Sequence, residues 1–186
     1  MELAEGRVIT MSPVGLLHGQ VAQGLANRLS AFATDHKLGT VMQQTGFRLR
    51  RDPDVVRAPD VSFLRAERIP AKGARRGFID GAPDLAIEVL SSDDRTAEIL
   101  RKVAEYLDAG TPRVWVVDPD AETVTVHRGD RSRVFGVGET LSSDDAGLAA
   151  EGFELAVGDV VRPRLNCCSW ANMATFPLIF SMDHRL

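Results

Sequence analysis

Glu88 is the residue in this chain that most needs a reason. It interrupts LAIEVL, an apolar run that otherwise reads as a strand buried on both faces. An ionised carboxylate in such a place is costly unless it is paired, hydrogen-bonded or bound to a cation. Strand alternation puts Asp84, Ala86 and Glu88 on one face and Leu85, Ile87 and Val89 on the other. The same pattern fits an antiparallel strand with one wet face, on which Asp84 and Glu88 are simply solvated. Asp60 adds weight to chemistry, because APDVSFL repeats the Pro-Asp-strand arrangement of APDLAIEVL. Pro-Asp also serves as an ordinary turn. Two adjacent strands that each offer a carboxylate at one end can hold a hard divalent cation, which takes oxygen ligands and keeps several waters. Lys102 supplies a third group. It falls on the helix predicted after Glu88, where Arg95, Ile99, Lys102 and Tyr106 form a stripe able to face the end of the preceding strand. A solvated helix flank is the plainer reading of a lysine there. Lysine is scarce, however: Lys37, Lys72 and Lys102 are the only three among 22 basic residues.

The elements that must position these groups are legible in outline. GRVITM reads as a short strand. From His18 to His36, Val21, Leu25, Leu29 and Phe32 recur at spacings of three and four, which predicts a helix with one apolar face, stopped by Gly39. TVMQQTGFRLR reads as one strand, DPDVVRAPD as a turn-rich connection, VSFL as a strand, and Arg65 to Gly81 as a long exposed loop. SSDDRTAEILRKVAEYLDAG predicts the best helix, capped by Ser91 with Asp94, with Leu100, Val103 and Leu107 as its buried stripe and Gly110 and Pro112 at its end. RVWVVD and the alternating TVTVHR, joined by DPDAE, predict a hairpin. A βαβ-like passage followed by a hairpin indicates a mixed sheet with flanking helices. After about Val161 the pattern loses its period. Residues 1–161 are therefore expected to form one domain, and 162–186 a C-terminal tail of no assigned chemistry.

Composition narrows the function classes. The 186 residues are 44% hydrophobic and 26% charged, as in a folded globular chain. No apolar run approaches the roughly 20 residues that span a bilayer. The opening MELAEGRVITMSP carries two acids and no basic run, which predicts no secretory leader and no membrane partner. Cys167 and Cys168 are adjacent and match no zinc spacing, so the expected compartment is the cytoplasm. The net charge of −4 argues against a uniform basic coat for nucleic acid. It is unevenly spread. Gln44 to Asp80 holds nine basic residues against five acids, a net of +4, which leaves −8 for the remainder. Such a basic segment beside the first Pro-Asp strand could contact phosphates, or be an ordinary arginine-rich loop.

PDVSFL, PDLAIEVLSSDDR, the K-x-x-x-Y of RKVAEY and AGTPRVWVVDPDAETVTV together resemble the Uma-two family of bacterial endonucleases. That family is a branch of the PD-(D/E)XK nuclease superfamily. The opening ELAEGRVITMSP and the following His18 are similar to the family's start, so the resemblance runs from Glu2 to about Val161. It implies an α/β (α+β) fold, a restriction-endonuclease-like mixed β-sheet flanked by helices. It implies that Asp60 and Glu88 are the two acidic ligands and that, with the backbone carbonyl of Val89, they hold Mg²⁺ or Mn²⁺. Leu90 stands where the superfamily motif has its lysine, and Lys102 on the following helix takes that role. Asp84, His18 and Tyr106 are secondary site residues. The implied activity is metal-dependent hydrolysis of DNA phosphodiester bonds by a homodimer. The alternative is an idle domain of the same fold that binds DNA or serves as an assembly module.

Overall fold

The computed structural model describes residues 2–4, 7–9, 15–69, 77–91 and 94–163. The expected tail lies outside these residues, except for Arg162 and Pro163. In chain order come β1 (Glu2–Ala4), β2 (Arg7–Ile9), α1 (Leu16–Asp35), β3 (Gly39–Gln43), β4 (Phe47–Arg50), β5 (Val55–Arg57) and β6 (Val61–Arg65). Then follow β7 (Ile79–Asp80), β8 (Leu85–Val89), α2 (Thr96–Asp108), β9 (Arg113–Asp118), β10 (Thr123–Arg128) and β11 (Arg131–Gly136). The last are β12 (Thr140–Ser142), α3 (Ser143–Ala146), β13 (Glu154–Ala156) and α4 (Val157–Val161). Among the described residues the strands form a six-stranded sheet in the order β11-β10-β9-β8-β6-β3, a five-stranded sheet β2-β1-β5-β4-β7 and the pair β12-β13.

The larger sheet is built around β8, whose five residues are all buried. It runs parallel to β9, with Glu88 beside Val116, and antiparallel to β6, with Val61 beside Ile87. The expected βαβ unit is therefore β8–α2–β9, and β9 turns back into β10 as a hairpin. The sheet's two faces differ. One is covered by α1, where Val21, Leu25 and Leu29 meet Val61, Phe63, Leu85, Ile87, Val89, Trp115 and Val117 in the main core. The other is covered by α2, where Ile99, Val103 and Tyr106 meet Ala86, Val114 and Val116 in a smaller cluster. Glu88 alternates onto this second face. The wet-face alternative for β8 is thereby removed.

Several local expectations are corrected. TVMQQTGFRLR is two strands in two different sheets. At Gln44 the backbone adopts φ +48° and its N–H is taken by the Pro59 carbonyl at 3.1 Å, so the chain leaves the larger sheet there. DPDVVRAPD contains β5, three fully buried residues too short to show a period. The stretch from Arg65 to Gly81 is not all loop, since it holds a 3₁₀ turn at Ala66–Arg68 and then β7. α1 stops at Lys37, which takes the left-handed conformation at φ +55°. Gly39 instead opens β3, where a Cβ would collide with the Leu64 carbonyl. α2 begins at Thr96, because Ser91 and Asp94 close a turn on each other before the helix starts. Its buried stripe is Ile99, Lys102, Val103 and Tyr106, while Leu100 is 57% exposed and Leu107 half-buried. The helix is thus rotated so that its lysine and tyrosine, not Leu100, face the sheet. No helix among the described residues is long and apolar enough to cross a membrane.

Candidate active site

The site forms where β5 of one sheet passes into β6 of the other through Ala58, Pro59 and Asp60. Because β6 and β8 are antiparallel, the beginning of β6 lies beside the end of β8, and Asp60 arrives next to Glu88 and Val89. Asp60 is buried. Its Oδ2 accepts the Val89 backbone N–H at 2.8 Å and is 3.2 Å from His18 Nε2, on the first turn of α1. Glu88 projects from β8 toward α2. Its Oε2 accepts from Lys102 Nζ at 2.9 Å and its Oε1 from the Tyr106 hydroxyl at 2.8 Å. Lys102 and Tyr106 are four residues apart on α2, one turn, which is what lets them grip the two oxygens of one carboxylate. Asp60, Glu88, Lys102, Tyr106 and His18, all named from the sequence, are thus brought together; of Val89, expected to contribute its carbonyl, it is the N–H that bonds Asp60.

Asp84 is not among them. It sits at the opposite end of β8, about 13 Å along the strand from Glu88. There it accepts the Arg65 backbone N–H at 2.9 Å and pairs with Arg68 at 3.0 Å. Its place ties the 3₁₀ turn after β6 to the start of β8.

Two groups in the site lacked a signal strong enough to be read from the sequence. Glu2, on β1, is 2% exposed, and its Oε1 lies 3.8 Å from Lys102 Nζ. Arg57, on β5, is completely buried between Glu2 and Glu105, at 2.7 and 2.5 Å. Each is a lone charge in a short strand, the signal that marked Glu88. The strands are too short for their apolar context to show. Arg57 also leaves the basic segment from Gln44 to Asp80, since it is no surface charge. Arg48 and Arg51 pair with Asp80, and Arg65 and Arg68 with Asp84. Arg50 is exposed, and Lys72, Arg75 and Arg76 fall outside the described residues.

The electrostatics follow from the crowding of carboxylates. Burial pushes the Glu88 carboxyl up to about 7; Lys102 opposes that shift, while Asp60 and Glu2 reinforce it. Burial works against the charge of Lys102, but Glu88 and Glu2 outweigh it and hold the ammonium above the usual lysine range. Tyr106 is raised well above an ordinary tyrosine by burial and by the charge of Glu88, so it stays a donor. The hydrogen bond to Asp60 raises His18 against the opposing effect of its burial, and its buried Nδ1 has no partner among the described residues.

Among the described residues no group of three or more His, Cys, Asp or Glu side chains is arranged to hold a metal ion. Asp60 and Glu88 are instead a pair of hard oxygen donors with an excess of negative charge around them. That donor set suits Mg²⁺ or Mn²⁺, since Mg²⁺ is commonly held by one or two carboxylates and completes its shell with water. Beyond the end of β8 lies a cavity of about 430 Å³, lined by Leu90, Ser91, Asp94, Ile99, Val116 and Asp118 among others. Two of its carboxylates serve turns: Asp94 accepts from Ser91, and Asp118 from the N–H groups of Asp120 and Ala121.

The Uma2 family, described as "Putative restriction endonuclease", matches residues 1–158 of the chain. The chain therefore belongs to the Uma2 family. A crystal structure from Anabaena variabilis, described as a "putative nuclease belonging to DUF820", superposes with a TM-score of 0.75 at 22% identity. The match covers 86% of this chain and 88% of that one, and it establishes the restriction-endonuclease-like fold. No curated protein matches the chain.

Proposed function

We propose that this member of the Uma2 family is a divalent-metal-dependent endonuclease that hydrolyses DNA phosphodiester bonds at Asp60, Glu88 and Lys102. One observation carries the reading. Three separate elements, the start of β6, the end of β8 and the buried stripe of α2, deliver two carboxylates and a lysine to one place, with the glutamate held by 2.9 and 2.8 Å hydrogen bonds. Structural salt bridges seldom bury so many acids around one lysine, because each unpaired carboxylate is costly away from water.

Asp60, Glu88 and the Val89 carbonyl are the groups that would hold Mg²⁺ or Mn²⁺. The chemistry supplied by such an ion is Lewis acidity toward water and phosphate oxygens. This chain's own residues do the remaining work. Tyr106 donates to Glu88 Oε1 and fixes the plane of that carboxylate. The Val89 N–H and His18 fix Asp60. Lys102, kept charged by its neighbours, is a preorganised cation for the negative charge that builds up on a phosphate under attack. A lysine in that state donates a hydrogen bond rather than removing a proton. The exposed Arg50 and the basic stretch at 72–76 are candidates for contact with the DNA backbone, and a homodimer would account for cutting both strands.

The direct test incubates the purified chain with supercoiled and linear DNA in Mg²⁺ or Mn²⁺, beside Glu88→Ala and Lys102→Ala. Nicking by the wild type and not by the variants supports the enzyme. Equal nicking by all three, at every metal concentration, leaves the idle DNA-binding or assembly module as the reading.

A further inference from the structure

Lys102 is held by a second carboxylate that reaches it from the other end of the chain. Glu2 lies on β1, which pairs with β5 through Leu3 and Val56 in the smaller sheet. Its Oε2 accepts from Arg57 Nη1 at 2.7 Å, and its Oε1 accepts the Ala58 backbone N–H at 3.2 Å. Arg57 is immobilised in turn, since its Nε donates to Oε2 of Glu105, three residues beyond Lys102 on α2. The same Oε1 that accepts the Ala58 N–H lies 3.8 Å from Lys102 Nζ. Glu2 thus grips both halves of the site at once: the backbone two residues before Asp60, and the lysine that meets Glu88.

Anchoring β1 does not require this. An apolar side chain at a site 2% exposed would anchor the strand as well, at the cost of taking from buried Arg57 one of its two carboxylates. The Glu2 carboxylate neutralises the buried Arg57 and, with the same charge, stands 3.8 Å from the ammonium of a long, flexible lysine side chain, which otherwise has many rotamers open to it. We infer that Glu2 is a positioning residue: clamped by Arg57 and Ala58, it fixes the Lys102 ammonium beside Glu88. The consequence for catalysis rests on the nuclease reading, but the positioning itself does not.

The three lysines make the test practicable. With ¹³Cε-labelled lysine, the full chain gives signals from Lys37, Lys72 and Lys102, the last assigned by its loss in Lys102→Arg. Glu2→Gln should move the Lys102 signal and leave the other two in place. In the cleavage assay the same variant should lower kcat by about tenfold to a hundredfold, with KM changed less than about threefold. Glu2→Asp keeps the charge but withdraws it, and should move the signal while retaining more of the rate. It carries the measurement alone if Glu2→Gln does not fold. A Lys102 signal unmoved in a folded variant overturns the inference, as does a moved signal with kcat intact. A wild type that cleaves no DNA defeats the nuclease reading instead, and the spectrum alone then upholds or overturns the positioning by Glu2.

Discussion

Asp60 and Asp84 open their strands with the same words, APDVSFL and APDLAIEVL, and both are buried, at 4% and 5% exposure. Their surroundings are opposite. Asp60 meets His18, the Val89 N–H and the field of Glu88, while Asp84 meets the Arg65 N–H and the half-exposed guanidinium of Arg68. The cause is the antiparallel register of β6 and β8. Two strands that begin alike and run in opposite directions begin at opposite ends of the sheet. Only one of those ends is reached by α2 with Lys102 and Tyr106. A carboxylate's identity and burial therefore do not settle its role; the neighbours brought by the register do.

The contrast is sharpest in activity. Asp60→Asn should lower kcat by about 10²–10³-fold, the scale of losing one group on which transition-state stabilisation depends, here a carboxylate that would hold the metal ion. Asp84→Asn should stay within about threefold in the same plasmid-nicking assay. Equal losses from the two substitutions would erase the distinction between the ends of β8.

The next effect is on pH dependence, and it belongs to the Glu88 end. The Glu88 carboxyl titrates near 7 in the folded chain and near 4.5 when unfolded, so between those values the folded state keeps a proton that the unfolded state has released. Stability of the metal-free protein should therefore fall as pH rises from about 4.5 through 7, by up to about 3 kcal/mol in urea denaturation. Mg²⁺ or Mn²⁺ should bind more tightly as pH rises through the same window and release close to one proton, read by calorimetry in buffers of different ionisation enthalpy. A metal affinity indifferent to pH between 6 and 8 would remove Glu88 as a ligand.

At the other end, Asp84→Asn should cost about 1–3 kcal/mol of stability, because it removes the charge from the buried carboxylate's bonds to the Arg65 N–H and the Arg68 guanidinium. Urea denaturation measures this directly. The smallest effect expected is that of Tyr106→Phe. Loss of one hydroxyl donor to Glu88 should cost about 1 kcal/mol and raise the Glu88 titration further, shifting the acid limb of the pH–rate profile upward. A limb that does not move would show that the hydroxyl leaves Glu88 unaffected.

The parts of the fold that the sequence makes legible are those with long local patterns. The stripe of Val21, Leu25 and Leu29 specifies α1, and the run Leu85–Val89 with its single acid specifies both β8 and the place where chemistry is to be sought. Gly110 after Leu107 marks the end of α2, where the residue takes φ +95°. Other features had no local pattern to show. β5 is three residues long between prolines, and the change of sheet at Gln44 depends on a carbonyl fifteen residues away, that of Pro59. The stripe of α2 illustrates the limit well. Its spacing is readable, and Leu100, Val103 and Leu107 make the more apolar stripe, but the partner surface buries the neighbouring one through Ile99, Lys102 and Tyr106.

By itself, then, the sequence determined that Glu88 needs a partner, because a lone charge in an apolar run is costly wherever the run folds. It determined the fold family as well, through motifs spread over most of the chain. Only the tertiary structure decided which acids share a site. That separated Asp60 from Asp84 and brought in Glu2 and Arg57, which are 55 residues apart in the chain and 2.7 Å apart in space. The physical reason is the same in each case: burial of a charge is tolerable only beside its partner, and the partner is set by strand register and sheet order rather than by spacing along the chain.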